Sequence, residues 1–416
     1  MARELHNTLM NKLKGGNQLN LAGLHSFNCP TEIVFGCNSI QKIPEIILKE
    51  GFKRVLIICD EGIENAQILD LVLEQVQKSG VECNVFSNVE ANPSTTTIEA
   101  GMKVYESSKP DLLIGLGGGS PIDTAKAIGI LATNGGSITD YEGIDKFRNQ
   151  SLPLMAIPTT SGTASEVTVF TVITDPYNEY KLTVGGRKLA ARWAIVDPEL
   201  TLTLPPKLTA STGLDALVHA IESYTSKMAY PLSEVLALEA IRVISSNLRQ
   251  AVFSGDNLIA RSAMMYGSLV AGLAFNNTRL GNVHAMSHPL SAKFHVPHGI
   301  ANSILLPHVM EYNLPSVPEK FIEIAKAMGE VHDTNKPIMF NANKAIEAVK
   351  KLAEDINIPI NFSEYEIKEE DIFTMALDAM KSGNIQVNPR TTKIEDIKML
   401  YKKTIKDAEI GTVLKA

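Results

Sequence analysis

Short apolar runs alternate with amphipathic stretches from about residue 31 to residue 200, and the alternation then stops. Residues 54–59, RVLIIC, are a continuous branched run that ends at Asp60. Such a run predicts a strand buried on both faces. Residues 66–78 follow with a helical period, and Leu69, Leu71, Val72 and Val76 are expected on its apolar face. Residues 83–86, 95–107 and 111–116 repeat the order strand, helix, strand. A βαβαβ series predicts a parallel sheet with helices on both faces. Further strands are expected at 32–35, from residue 154 and at 194–197, with a hairpin of 170–174 and 181–184 around Asp175 to Asn178.

Beyond Leu204, Pro205 and Pro206 the texture changes. Helical periodicity takes over at 209–225, 231–253, 260–275, 319–328, 344–354 and 369–381. The expected organisation is an N-terminal extension over 1–26, an α/β dinucleotide-binding domain over 27–205 and an all-α metal-binding domain over 206–416. At 416 residues two domains are the natural reading.

Turn chemistry singles out two loops. The strand at 111–116 opens into Gly117, Gly118, Gly119 and Ser120, then Pro121 and Asp123. Bare glycines let backbone approach a ligand, Ser120 suits an N-cap, Pro121 suits the first helical position, and Asp123 lies three after the cap. A helix N-terminus beside such a turn is a phosphate site. The pattern is not GxGxxG, so the ordinary dinucleotide fingerprint is absent. Asp60, at its strand end, suits the ribose hydroxyls of an adenosine and would repel a 2′-phosphate, which favours NAD over NADP. The second loop, IPTTSGTASE at 157–166, offers many small donors after an apolar strand.

The histidines carry the remaining chemistry. Of nine in the chain, His284, His288, His295 and His298 fall between Gly281 and Asn302. His284 and His288 are four apart and share a helix face, as do Asp215 and His219. Pro289 predicts that the His284 helix bends or changes course, and His298, in Val-Pro-His-Gly, is placed to open the next helix. One carboxylate and three imidazoles suit a divalent transition metal. Glu222, one turn past His219, is expected to support a ligand from behind; Glu239 is expected to serve helix packing.

Composition excludes more than it assigns. A net charge of −7 without a basic face argues against nucleic acid. No apolar run in the sequence reaches the length of a membrane span. The four cysteines, all in the first quarter, lack zinc-type spacing, and a buried free thiol at Cys59 fits a reducing cytosol. Leu5, Leu9, Met10 and Leu13 lie on one helical face before Gly15, Gly16 and Asn17. That face reads as a short surface helix, the alternative being a docking helix for a partner such as an encapsulating shell.

Taken in order, several motifs resemble the iron-containing (group III) alcohol dehydrogenases, the family of lactaldehyde reductase and 1,3-propanediol dehydrogenase. They are PTEIVFG at 30–36, GGGSPID at 117–123, the loop at 157–166, GLDALVHAIE at 213–222, the His284–His298 block and Asn388-Pro-Arg390. The resemblance covers about 27–405. It implies a metal-dependent, NAD(H)-linked alcohol dehydrogenase or aldehyde reductase acting on short, polar primary alcohols and aldehydes. It implies Asp215, His219, His284 and His298 as ligands to Fe²⁺, with Zn²⁺ allowed by the same set, and His288 as a proton carrier beside nicotinamide and substrate. It implies Asp60, Asn92, Gly118, Gly119, Ser120, Thr159, Thr160 and Lys181 around NAD, in a cleft between the domains. Phe170 and Phe275 are expected to narrow the pocket. A homodimer or larger homo-oligomer is implied, in the cytoplasm or within a bacterial microcompartment. Two other readings stand beside it: a zinc-dependent enzyme of the glycerol dehydrogenase or dehydroquinate synthase kind, and a non-catalytic NAD-binding structural subunit.

Overall fold

The computed structural model describes residues 23–413. The N-terminal helix expected over the first residues lies outside them. Nine strands occur among the described residues: β1 (Glu32–Phe35), β2 (Arg54–Ile58), β3 (Glu82–Phe86), β4 (Leu112–Gly117), β5 (Gly143–Ile144), β6 (Leu154–Pro158), β7 (Phe170–Asp175), β8 (Tyr180–Gly185) and β9 (Trp193–Val196). Six form a parallel sheet in the order β1-β9-β6-β4-β2-β3. The hairpin β7–β8 pairs antiparallel and takes β5 alongside as a separate small sheet.

The pleat explains why β4, β6 and β2 from Val55 onward carry no polar side chain. Leu56, Ile58, Leu113, Leu154 and Ala156 face one layer of helices, with Ile122 and Ile128 of the Gly119–Asn134 helix. Val55, Ile57, Leu112, Ile114, Met155 and Ile157 face the other, with Leu69, Val72 and Val76 of the Ile68–Gln77 helix. Successive side chains point to opposite faces, so a strand covered on both sides needs no polar alternation. Leu71, expected on the apolar face of that helix, is exposed; one residue before Val72 it is turned about 100° away from the core stripe. β3 and β4 lie on opposite sides of β2, so strand order reverses between β2 and β4. In open α/β sheets the crevice beyond the carboxyl ends at such a point takes ligands.

No strand follows Val196 among the described residues. Helices run Pro206–Thr225, Pro231–Phe253, Leu258–Thr278, Asn282–Phe294 and His298–Asn313, with shorter ones beyond. Their shared core includes Leu214, Leu217, Ile221, Ile241, Ile244, Ile304 and Tyr401 and takes in no residue before Ala210. A separate cluster ties the two parts together: Ala164, Val167, Ala194 and Val196 pack on Met265, Leu269 and Phe275.

Three expectations change here. The Leu258–Thr278 helix is long and apolar enough to cross a membrane by length and composition, yet most of it is buried against neighbouring helices. The Asn282–Phe294 helix continues through Pro289 and stops at His295, which takes a left-handed backbone. Proline forfeits one helical hydrogen bond, to the carbonyl four residues back. Ala285 and Pro289 both line the cavity described below, so the missing rung lies there and not in the packed interior. The third change concerns Ser120. The Gly119–Asn134 helix is capped by Gly118, and Ser120 sits inside its first turn, where its hydroxyl accepts from the Asn92 N–H at 3.2 Å. Asp123 does not turn back to cap; it accepts from Ser165 Oγ at 2.5 Å and from the Val172 N–H at 2.9 Å.

Candidate metal centre and cofactor cleft

The Pro206–Thr225 helix carries Asp215, His219 and Glu222 on one buried face. The Asn282–Phe294 helix brings His284 and His288, and the next helix begins with His298. Asp215, His284 and His298 each offer a donor atom, and these atoms lie within 4.8 Å of one another. Asp215 Oδ1 stands 3.7 Å from His284 Nε2 and 4.0 Å from His298 Nε2. His219 lies against this group without joining it at that distance; its ring stacks on His284 at 4.6 Å and on Phe275 at 4.4 Å. Close approach of two helices makes the arrangement. A Cβ on Gly299 would stand 2.5 Å from the Ser211 carbonyl oxygen, so only glycine lets the His298 turn rest on the Asp215 helix.

Glu222 sets the orientation of His284. Its Oε2 lies 2.6 Å from His284 Nδ1, and its Oε1 accepts the Val283 N–H at 2.7 Å. With Nδ1 committed to Glu222, Nε2 is the nitrogen that faces Asp215 and His298, and a metal ion would take the place of its proton. The charges follow. Burial works against a charged Asp215, yet His219, His284 and His298 outweigh it and hold the carboxyl well below its ordinary range. Burial also works against a charged His284, but Asp215 and Glu222 raise it to about 9. Burial lowers His219 to about 4 and takes His298 well below its usual value.

These residues fit a bound divalent cation. One carboxylate converging with buried imidazoles is a donor set for Fe²⁺ or Zn²⁺, and the Nδ1 of neighbouring His219 is buried without a hydrogen-bond partner. Asn302 was not singled out from the sequence. Its Nδ2 donates to Asp215 Oδ1 at 2.6 Å and stands 3.1 and 3.2 Å from the Nε2 atoms of His284 and His298. The signal available was its place one turn after His298, on the same face.

A cavity of about 450 Å³ joins this cluster to the sheet. Asn92, Gly119, Ser120 and Lys181 line it, as do His288, Phe170 and Phe275. Asn92, with its backbone at φ 59°, accepts Lys181 Nζ at 2.7 Å through Oδ1. Burial lowers Lys181 to about 8, with Asp123 and Asp215 opposing. Asp60, Gly118, Thr159 and Thr160 do not line the cavity; they follow the ends of β2, β4 and β6. Asp60 caps a short helix by accepting the Ile63 N–H at 3.1 Å, and its other oxygen stands beside Gly117. Gly118 faces Thr160, and Gly119 faces Thr163 so closely that a Cβ there would come within 2.9 Å. That glycine keeps the turn open at the helix start, where a pyrophosphate would meet backbone N–H groups. Buried Lys126 ties the same helix to the neighbouring loop, donating to Ser165 Oγ, Thr168 Oγ1 and the Phe170 carbonyl.

His288 is half-buried, its ring 5.8 Å from that of His298. Burial, Lys181 and His284 lower it to about 3, so it is neutral near pH 7. His295 is exposed and takes no part. Glu239, expected in helix packing, instead pairs with Arg242 along its own helix at 2.7 Å.

Comparison with known proteins agrees with this geometry. Residues 30–198 match the family model "Iron-containing alcohol dehydrogenase", and residues 209–405 match "Fe-containing alcohol dehydrogenase family, C-terminal". The chain is 42% identical over 375 residues to 1,3-propanediol dehydrogenase of Klebsiella pneumoniae, covering 90% of this chain and 97% of that one. It is 37% identical over 369 residues to lactaldehyde reductase of Escherichia coli K12, covering 88% and 96%. A crystal structure of 1,3-propanediol oxidoreductase superimposes with a TM-score of 0.89 at 41% identity, covering 92% of this chain and all of that one. Both halves of the family pattern are matched in order, and the buried Asp–His cluster falls within the second, so the chain belongs to the iron-containing alcohol dehydrogenase family.

Proposed function

We propose that this iron- and NAD-dependent alcohol dehydrogenase interconverts short, polar primary alcohols and their aldehydes, with Asp215, His219, His284 and His298 holding the ion. One observation carries the reading: Asp215, His284 and His298 converge on the wall of the same cavity that Asn92, Ser120 and Lys181 line. When bound, a divalent ion supplies Lewis acidity at the substrate oxygen and NAD supplies the hydride carrier. The chain's own residues do the rest. Glu222 orients His284, Phe170 and Phe275 narrow the cavity and exclude water, and Lys181 with Asn92 positions the cofactor's ribose side. His288, neutral and facing the cavity, accepts or passes a proton at its imidazole. The names of the relatives, which act on 1,3-propanediol, methanol and lactaldehyde, support short substrates. An assembled ligand set beside the cofactor residues weighs against a non-catalytic subunit.

The test is NADH oxidation with a panel of short aldehydes, on protein stripped of metal and reloaded anaerobically with Fe²⁺ or Zn²⁺. Activity that disappears in Asp215→Ala and His284→Ala supports the reading. Tight NAD binding with no turnover on either metal would sink it.

The assembly and location are part of the same proposal. A homodimer or higher homo-oligomer is supported by β1, an edge strand whose Phe35 packs on Tyr266 and is itself exposed. Light scattering of the purified protein reads this directly, and a monomer would end it. We place the enzyme in the cytoplasm or inside a bacterial microcompartment, docked through the N-terminal segment. Unchanged partitioning in cells after deletion of residues 1–17 would remove the docking idea.

A further inference from the structure

We propose that Arg279 recognises an anionic oxygen group at the far end of the substrate, so that the preferred aldehyde carries a carboxylate or an acid group of similar charge. This rests on the reading of the cavity as the aldehyde site. Arg279 ends the Leu258–Thr278 helix four residues after Phe275, whose ring stacks on His219, and five before His284. It therefore stands in the wall beside the metal cluster, on the side built by the helical domain.

Its guanidinium has no hydrogen-bond or ion-pair partner among the described residues, although it lines the cavity and is half-buried. The other cavity-lining cations are engaged. Lys181 donates to Asn92, and Lys381 pairs with Asp378 at 2.9 Å. Of the acids that line the cavity, Asp123, Glu142, Glu179, Asp215 and Asp378, none forms an ion pair with Arg279; Asp378 is shared with Lys293 at 3.2 Å, Asp123 is taken by Ser165 and Val172, and Asp215 by the imidazoles and Asn302. A partly desolvated cation without a partner is unfavourable until an anion meets it. A guanidinium fork is the group best shaped to meet a carboxylate through two parallel hydrogen bonds.

The backbone holds this side chain in place. Arg279 has φ 57°, an uncommon conformation for a residue with a Cβ. Its N–H bonds the Phe275 carbonyl at 2.9 Å, its carbonyl accepts from Thr278 Oγ1 at 2.9 Å, and the next N–H, of Leu280, reaches Asn384 Oδ1 at 3.4 Å. The guanidinium lies over Gly383: a Cβ added there would meet Arg279 Nη1 at 2.5 Å, so the absence of a side chain leaves the arm its course. The glycine turn suited to the cofactor's phosphates is a different element, the Gly118–Gly119 start of the helix that follows β4. That leaves the substrate as the source of the anion.

The experiment compares butanal with 4-oxobutanoate, aldehydes of equal carbon length with and without a terminal carboxylate. The iron-loaded enzyme is assayed with NADH, and Arg279→Leu and Arg279→Lys are assayed beside it. The expected result is a kcat/KM ratio that favours 4-oxobutanoate in the unaltered enzyme. In Arg279→Leu that ratio falls roughly 10- to 100-fold, the worth of a charge-assisted hydrogen bond. The change sits in KM, and Arg279→Lys restores part of it. If Leu disturbs folding, Arg279→Gln carries the same comparison, with iron content and melting temperature as controls. Reduction of butanal with no preference for the carboxylate overturns the Arg279 assignment alone. A rise in KM for NADH with the substrate ratio unmoved overturns it too, because the anion would then be the cofactor's. Reduction of neither aldehyde overturns the dehydrogenase reading beneath it.

Discussion

Glu222 Oε2 lies 2.6 Å from His284 Nδ1, and the two residues come from helices some sixty positions apart in the chain. The contact fixes which imidazole nitrogen faces the cluster. Glu222→Gln offers an amide that cannot accept from both His284 and the Val283 N–H as the carboxylate does. We expect iron affinity to fall roughly 10- to 100-fold, with NAD affinity much less affected. Chelator competition measures the first and NADH fluorescence titration the second. Equal losses in both would mean that Glu222 serves the fold rather than the ligand.

Asn302 adds a second restraint, on the carboxylate. Its N–H to Asp215 Oδ1 leaves the remaining lone pairs of that oxygen directed at the imidazoles. Asn302→Ala is expected to weaken metal binding by about 1 kcal/mol, the usual worth of one buried hydrogen bond, and to alter the visible ligand-field spectrum of the cobalt-substituted protein. An unchanged spectrum would assign Asn302 to packing.

His288 lines the cavity but lies outside the group of converging donors. His288→Ala is therefore expected to lower kcat by roughly a hundredfold, at the lower end of acid–base effects, while iron stoichiometry stays near that of the unaltered protein. Loss of iron in this variant would make His288 a ligand and redraw the site.

Glu166 provides a pH signature away from the metal. Burial raises its pKa from 4.5 to about 7, against the opposing influence of Lys126. Between these values the folded protein holds a proton that the unfolded chain has released. The contribution is thus fully present below about 4.5 and is lost as pH rises toward 7. Glu166→Gln, neutral at every pH, should flatten this part of the stability profile. Chemical denaturation between pH 4.5 and 8 reads the slope, and an unchanged slope would show that Glu166 is charged in the fold.

The relation between chain and fold can be followed through particular residues. The runs at 54–59 and 111–116 announced β2 and β4 because strands buried on both faces carry no polar interruption. The glycines at 117–119 announced a turn before a helix: Gly117 takes φ 142°, and Gly119 leaves no room for a Cβ beside Thr163. Asp215 with His219, and His284 with His288, were legible as pairs because the helical repeat places residues four apart on one face. Such signals are local, set by backbone sterics and by burial of one face.

Apart from the ligand set that the family resemblance implied, the relations across the chain lay beyond the sequence. Pro289 reads locally as a helix breaker, yet the helix continues because tertiary packing holds the turns on either side. Asp123 reads as a cap, yet its carboxylate is taken by Ser165 and Val172, which only the folded loop brings near. Asn302 and Arg279 carry no motif of their own. Their roles come from one carboxylate oxygen and two imidazole nitrogens gathered around one amide and from a guanidinium left without a counter-charge. The sequence by itself determined the elements and the types of chemistry they carry. The tertiary structure decided which groups meet, because hydrogen bonding and charge act over a few ångströms of space, whatever the distance along the chain.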